Sequence, residues 1–263
     1  MGKLTLDING RCNQDCTFCY QNLDGSSLST EQILERVQQT TGDMVEIGGG
    51  EPFLDSRIVE LIKTITSRQK KVHISTNASV IPRGLFDLEE AVRANTQVQV
   101  SIHGSNPERY ARIHGKDHYA RVIENIHELG QRFRTNMTSA IYQENLDDVP
   151  NLVGLSRKLG IPIRINLVFP VGKGRDVQRL DVGQVDELTG YLLEQKLLGE
   201  NIDSPLIHEN NCYAVAEAYG LPRGGLCPLD CGKVYLDPRG VESGCEFCPR
   251  ISLTKAEGGE KNV

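Results

Sequence analysis

Short runs of β-branched and apolar residues alternate with stretches of helical period six times before residue 200, and this alternation constrains the fold more than any other feature. The runs predict strands at about 3–9, 43–48, 71–76, 96–103, 135–142 and 162–169. The stretches between and after them predict helices over about 29–40, 56–68, 84–94, 118–131, 147–159 and 180–198. Ser29 or Thr30 can cap the first helix, with Glu31 in its first turn and Ile33, Leu34 and Val37 as its inner stripe. Asp55, Pro82 and Asp148 are start signals for three later helices.

Strand, helix and strand in regular succession mean parallel strands joined by right-handed crossovers, with functional groups gathered at the C-terminal edge of the sheet. Six units fall short of the eight that close a barrel. The expected fold is therefore α/β: a partial (β/α)6 TIM-like barrel over residues 1–200, whose gap admits a large substrate. From 201 to 263 Gly, Pro and Cys become more frequent, and KVYLDPRGVESGC reads as two short strands around Pro238-Arg239-Gly240. This second region is expected to form a small cysteine-rich hairpin subdomain, with a frayed end over the last ten residues. A formal charge of -6 argues against a nucleic-acid partner, since binders of polyanions carry a basic surplus or stripe. No run of about 18 apolar residues is present, and MGKLTLDING lacks a signal peptide's apolar stretch, so the expectation is a cytoplasmic protein with no membrane partner.

The eight cysteines fall into two groups: three between 12 and 19, five between 212 and 248, and none between them. Eight thiols also suit four disulfides, but disulfide frameworks staple small secreted domains, and this chain is large enough to build a core without them. Ligation of a metal or cluster is the better account. Cys12, Cys16 and Cys19 form a C-x3-C-x2-C loop directly after the first strand. Such a loop can wrap three thiolates round one face of a cubic iron–sulfur cluster and leave the fourth iron open to a ligand. Zinc and a redox dithiol are the competing readings, although structural zinc wants a fourth closed ligand and none lies nearby in sequence.

This motif, with Phe18 just before its last cysteine, resembles the signature of the radical S-adenosylmethionine (SAM) superfamily. The resemblance implies a [4Fe-4S] cluster whose open iron chelates SAM; reductive cleavage then yields a 5′-deoxyadenosyl radical that abstracts hydrogen from a substrate. Gly48-Gly49-Gly50-Glu51-Pro52 ends the second predicted strand and resembles the GGEP motif, which implies that Gly49, Gly50 and Glu51 contact the SAM amino group. Glycines permit close backbone approach, and a carboxylate accepts hydrogen bonds from an ammonium. His73-Ile74-Ser75-Thr76-Asn77 resembles a T-N-G stretch, with Ala78 in the glycine position, and Val100-Ser101-Ile102-His103-Gly104 resembles V-S-L-D-G, with His103 in the aspartate position. Asn77 and Ser101 are thereby implied as contacts to the ribose or carboxylate, or else they are polar caps on buried strands. His114 stands where an arginine helps to hold the SAM carboxylate, and Val168 could line the adenine or simply end a strand. Tyr20, His103 and Tyr142 can act as acids or bases, and each also reads as structural.

The second group comprises Cys212, Cys227, Cys231, Cys245 and Cys248. Two short cysteine pairs separated by about a dozen residues also suit a zinc ribbon. The C-x12-G-x4-C interval from Cys227 through Gly240 to Cys245 resembles the start of SPASM and Twitch extensions. That resemblance implies one auxiliary [4Fe-4S] cluster held by Cys227, Cys245, Cys248 and either Cys212 or Cys231. The implied function is oxidative modification of a peptide or protein side chain, fed with electrons by a flavodoxin or ferredoxin. A small-molecule dehydrogenase and a molybdenum-cofactor-type cyclase are alternatives, because strand one begins at residue 3 and leaves no room for the N-terminal leader-gripping domain of many peptide-maturing members. The Cys231–Cys245 interval resembles the cyclase, whose closing Gly-Gly tail is absent. A reading of another class is a non-catalytic iron–sulfur or zinc protein, which the open three-cysteine site disfavours.

Overall fold

The computed structural model describes residues 3–206, 219 and 233–243. Cys212, Cys227, Cys231, Cys245 and Cys248, and with them the expected auxiliary cluster, lie outside the described residues. The chain order is β1 (Lys3–Asp7), α1 (Thr30–Gln39), β2 (Met44–Gly48), α2 (Ile58–Ser67), β3 (Lys71–Thr76), α3 (Glu90–Ala94), β4 (Thr96–Ser101), α4 (Pro107–His114), α5 (Tyr119–Arg132), β5 (Arg134–Ile141), α6 (Val149–Leu159), β6 (Ile163–Leu167), α7 (Val182–Leu197), β7 (Ile202–Asp203), β8 (Lys233–Leu236) and β9 (Glu242–Ser243). They form one sheet in the order β7-β6-β5-β4-β3-β2-β1-β8-β9, parallel throughout except for the antiparallel β8–β9 hairpin. From β1 to β7 the order follows the sequence without a switch point. Right-handed crossovers then place every helix on the same face, and the sheet curls into the expected partial barrel.

Alternation within each strand sorts the two faces. Leu4, Leu6, Val45, Ile47, Val72, Ile74, Val98, Val100, Ile163 and Ile165 are buried in one core with Ile33 and Val37 of α1, Ile58, Ile62 and Ile65 of α2 and Ile126 of α5. The opposite, inner face is polar. Lys3 and Thr5 reach Glu46 at 2.7 and 3.1 Å, His73 Nδ1 lies 3.0 Å from Glu46 Oε1, and the Gln97 amide donates to Asn136, which donates to Gln99. Asn166 donates to Thr138 at 3.0 Å, and Arg164 pairs with Asp203 at 2.8 Å. A closed TIM barrel fills this space with packed aliphatic side chains. Here it is lined instead by half-buried amides, hydroxyls and charges.

Local signals explain most boundaries. Ser29 caps α1 in a reciprocal box with Gln32, and Asp55 organises the turn into α2 by accepting from Arg57 N. Three expectations are corrected. The helix expected over 84–94 is only Glu90–Ala94: Pro82 starts a run of turns whose Leu85 and Leu88 still reach the core. Asp148 stands at the N-cap of α6, but its side chain makes no cap hydrogen bond: the carboxylate accepts from the Ser105 backbone and hydroxyl, tying the loop after β4 to α6. An unexpected helix, α4, is inserted between β4 and α5, with Asn106 as N-cap, Pro107 at its first position and Gly115 at its end. The expected hairpin around Pro238-Arg239-Gly240 is present, and it docks on the barrel: β8 pairs with β1, and Tyr235 Oη donates to Asp7 at 2.6 Å. No described helix is long and apolar enough to cross a membrane.

Candidate active site at the strand ends

The segment between β1 and α1 crosses the C-terminal edge of the sheet and is stitched to three neighbours. At the end of β2, Gly50 N donates to Asn9 O at 2.7 Å and Glu51 N to Arg11 O at 2.7 Å. At the end of α4, Asp15 N and Thr17 N donate to His114 O and Ile113 O, both at 3.0 Å. Beyond β6, Lys173 N donates to Cys19 O at 2.9 Å, and the Lys173 ammonium pairs with Asp15. The approach at β2 requires glycine: a Cβ on Gly49 would lie 2.4 Å from Asn9 O, and one on Gly50 would lie 2.2 Å from Arg11 O. These two glycines therefore hold the cysteine loop whatever else they contact.

Cys12, Cys16 and Cys19 are half-buried thiols on this loop. Burial pushes the thiols of Cys12 and Cys16 up, and the nearby sulfurs push them further, so thiolates here call for a positive partner. Hydrogen-bond donors already face the sulfurs. Gln14 N donates to Cys12 Sγ at 3.4 Å, Asn77 Nδ2 lies 3.8 Å from the same atom, and His114 Nδ1 lies 3.8 Å from Cys16 Sγ. Among the described residues no three His, Cys, Asp or Glu side chains converge as a site for a single metal ion.

Glu51 is 1% exposed, and its carboxyl accepts from Thr76 Oγ1 at 2.6 Å, Asn77 N at 2.6 Å and Phe53 N at 2.8 Å. Burial nevertheless pushes its pKa up to about 7. It thus braces the end of β2 against the end of β3. Asn77 accepts from Ser79 N and Oγ and donates to Asn13, while Ala78 has φ +50, the left-handed conformation that explains glycine in the resembled motif. Ser101 is half-buried at the end of β4 and makes no side-chain hydrogen bond among the described residues. Phe18 packs edge-on against His103 and Tyr142, with ring centroids 4.8 and 5.5 Å apart. Val168 is buried, its carbonyl accepting from Tyr219 Oη at 2.9 Å. His114 is fully buried beneath the loop, with both ring nitrogens engaged. Sequence reasoning missed Asn9, Gln14 and Tyr110. Polar residues between closely spaced ligands must find partners themselves, which was the available signal for Gln14.

The sequence model of the Radical SAM superfamily matches residues 6–155. The chain belongs to that superfamily. Membership implies a [4Fe-4S] cluster and SAM, and the loop's three thiols with their N–H donors fit that group. Among curated relatives, the mycofactocin maturase MftC of Mycolicibacterium smegmatis is 29% identical over 184 residues, 66% of this chain and 46% of the relative. The GTP 3′,8-cyclase of Alkaliphilus oremlandii is 28% identical over 187 residues, 65% of this chain and 57% of the relative. The chain thus spans about half the length of these relatives. In fold it is similar to Streptococcus suis SuiB bound to its precursor peptide SuiA, with TM-score 0.73 and 15% identity over 99% of this chain and 61% of that one.

Proposed function

We propose that this chain reductively cleaves SAM and oxidatively modifies a side chain of a peptide or protein substrate. Cys12, Cys16 and Cys19 would hold the cluster, which when bound with SAM supplies a 5′-deoxyadenosyl radical. Gly49, Gly50, Glu51, Asn77, Ser101 and Val168 border the space for SAM in this reading, with Phe18 fixing the inner side of the loop. The observation that carries the peptide assignment is the polar inner face of the barrel. Gln97, Gln99, Asn136 and Asn166 present amide groups with both donors and acceptors, which match a peptide backbone and its water better than an apolar substrate. The maturase among the relatives and the peptide-bound SuiB fold support this reading. Cys227, Cys245, Cys248 and one of Cys212 or Cys231 are proposed to hold an auxiliary [4Fe-4S] cluster, with a flavodoxin or ferredoxin as reductant and the cytoplasm as location. A cyclase acting on a polar small molecule is the second reading, favoured by the cyclase relatives at comparable identity.

The test is anaerobic reconstitution with iron and sulfide, reduction with dithionite, and chromatography for 5′-deoxyadenosine in the wild type and Cys16→Ala. Production by the wild type alone is expected. Absence from a fully loaded wild type supplied with candidate peptides and nucleotides would sink the proposal. Iron and sulfide near eight each per chain are expected for two cubes. About four iron with one zinc would remove the auxiliary cluster.

A further inference from the structure

His114 closes α4 with its ring wholly buried. It stacks on Tyr110, with centroids 3.9 Å apart and planes 13° from parallel, and on His103 at 4.8 Å and 19°. Its two nitrogens have distinct tasks. The backbone N–H of His103 donates to His114 Nε2 at 3.2 Å, so that nitrogen accepts and carries no proton. The ring proton therefore sits on Nδ1, which lies 2.9 Å from Gln14 Oε1 and 3.8 Å from Cys16 Sγ. Gln14 is oriented in turn, because its Nε2 donates to Tyr110 Oη at 2.7 Å and leaves Oε1 facing the imidazole. The amide of Gln14 and the stacked rings thus hold an N–H that donates to Gln14 Oε1, with the Cys16 sulfur 3.8 Å from the same nitrogen, and no nitrogen of His114 is left for the SAM carboxylate.

We propose that His114 is a positioning residue that donates a fixed-tautomer N–H hydrogen bond to the Cys16 sulfur and thereby raises the reduction potential of the cluster. The inference rests on the cluster assignment above. Cys16 is a proton donor only while it is a thiol; as a ligand thiolate it only accepts, and the Nδ1–H shared with Gln14 then serves it. Hydrogen bonds to ligand sulfurs stabilise the more negative, reduced cluster, which shifts its potential upward.

The test compares reconstituted full-length wild type with His114→Phe, which keeps a stacking ring and removes the donor, and with His114→Asn, which keeps a short N–H donor. The readout is the midpoint potential of the EPR signal that SAM perturbs, which separates this cluster from any other. The expected result is a lower midpoint in the Phe variant, by a tenfold or greater change in the one-electron equilibrium, about 59 mV. The Asn variant should recover most of that shift. Equal midpoints in wild type and a fully loaded Phe variant would overturn the inference. Should the Phe variant fail to fold, pulsed EPR on wild type labelled with 15N-histidine decides: a 15N coupling to the SAM-perturbed signal is expected, and its absence rejects the inference. A wild type that loads no SAM-perturbed cluster defeats the functional proposal itself, whereas SAM cleavage with unshifted midpoints defeats only the role of His114.

Discussion

The buried carboxyl of Glu51 is held by three donors yet has its pKa pushed up to about 7 by burial, from an ordinary 4.5. A folded value above the unfolded one means a stabilising contribution that is complete below about 4.5 and lost as pH rises through about 7. Glu51→Gln cannot ionise, but it replaces one acceptor oxygen with an NH2, leaving a buried donor misplaced at a cost of about 1–3 kcal/mol. The variant's deficit in urea unfolding of the apoprotein should be largest at pH 5 and shrink by pH 8. A deficit independent of pH would show that the carboxyl titrates normally in the fold. At Gly50 the constraint is steric. Gly50→Ala sets a methyl 2.2 Å from the Arg11 carbonyl, and backbone cannot yield as a flexible side chain would. A loss at or above about 3 kcal/mol is expected, together with failure to retain iron, measured by denaturant midpoint and metal content. The GGGEP run was legible as a site from its residues; that its first duty is to clasp the cysteine loop was not, because Asn9 and Arg11 meet it only across the β1–β2 edge.

Among the elements, α4 matters most to the site, since its last carbonyls hold Asp15 and Thr17 and its side chains supply Tyr110 and His114. Asn106 caps it by accepting from Arg109 N at 3.0 Å, and Arg109 pairs with Asp147. Asn106→Ala should cost about 1 kcal/mol. Fraying at this end is expected to loosen the loop, seen as a lower melting temperature and faster loss of iron to a chelator. The signals for α4 were all present in the sequence: a capping Asn, Pro at the first turn, Glu108 and a closing Gly. With two buried apolar side chains, Tyr110 and Ile113, it shows too little periodicity to stand out from a connection. Longer helices such as α5, with Val122, Ile126 and Leu129 buried, announced themselves.

At the scale of the whole molecule, a core shared by sheet and helices supports a polar interior. Burial alone would push the Glu46 carboxyl up, but the hydrogen bond from His73 and the Lys3 charge outweigh it and hold the group well below its ordinary 4.5. A lowered folded value contributes stability that is present above about 4.5 and lost as pH falls below it. Glu46→Gln should therefore show its full deficit near neutrality and a shrinking one as pH falls from 5 toward 3, opposite in sign to Glu51→Gln. Unfolding curves of both variants from pH 3 to pH 8 check the pair. The hairpin's attachment is testable in the same way. Tyr235→Phe removes the 2.6 Å bond to buried Asp7 and should cost about 1–3 kcal/mol, whereas no change would mean that this bond contributes nothing to the hairpin's attachment.

The repeating pattern of strands and helices by itself determined the barrel, because crossover handedness and hydrophobic alternation act locally and recur six times. Cysteine spacing marked the loop after β1 as a candidate ligand set, since three thiols this close in sequence need no distant partner to face one group. Tertiary structure alone decided how that loop is held. Gln14 and His114 are 100 residues apart, yet they share a hydrogen bond at 2.9 Å, and Asn77 is 65 residues from the Cys12 sulfur it faces. Such contacts depend on which strand ends adjoin and on the angle at which α4 closes over them. A chain's local spacing carries no record of either. The docking of β8 beside β1 belongs to the same class: the hairpin was readable from its turn, but its place in the sheet depended on which edge the barrel left open.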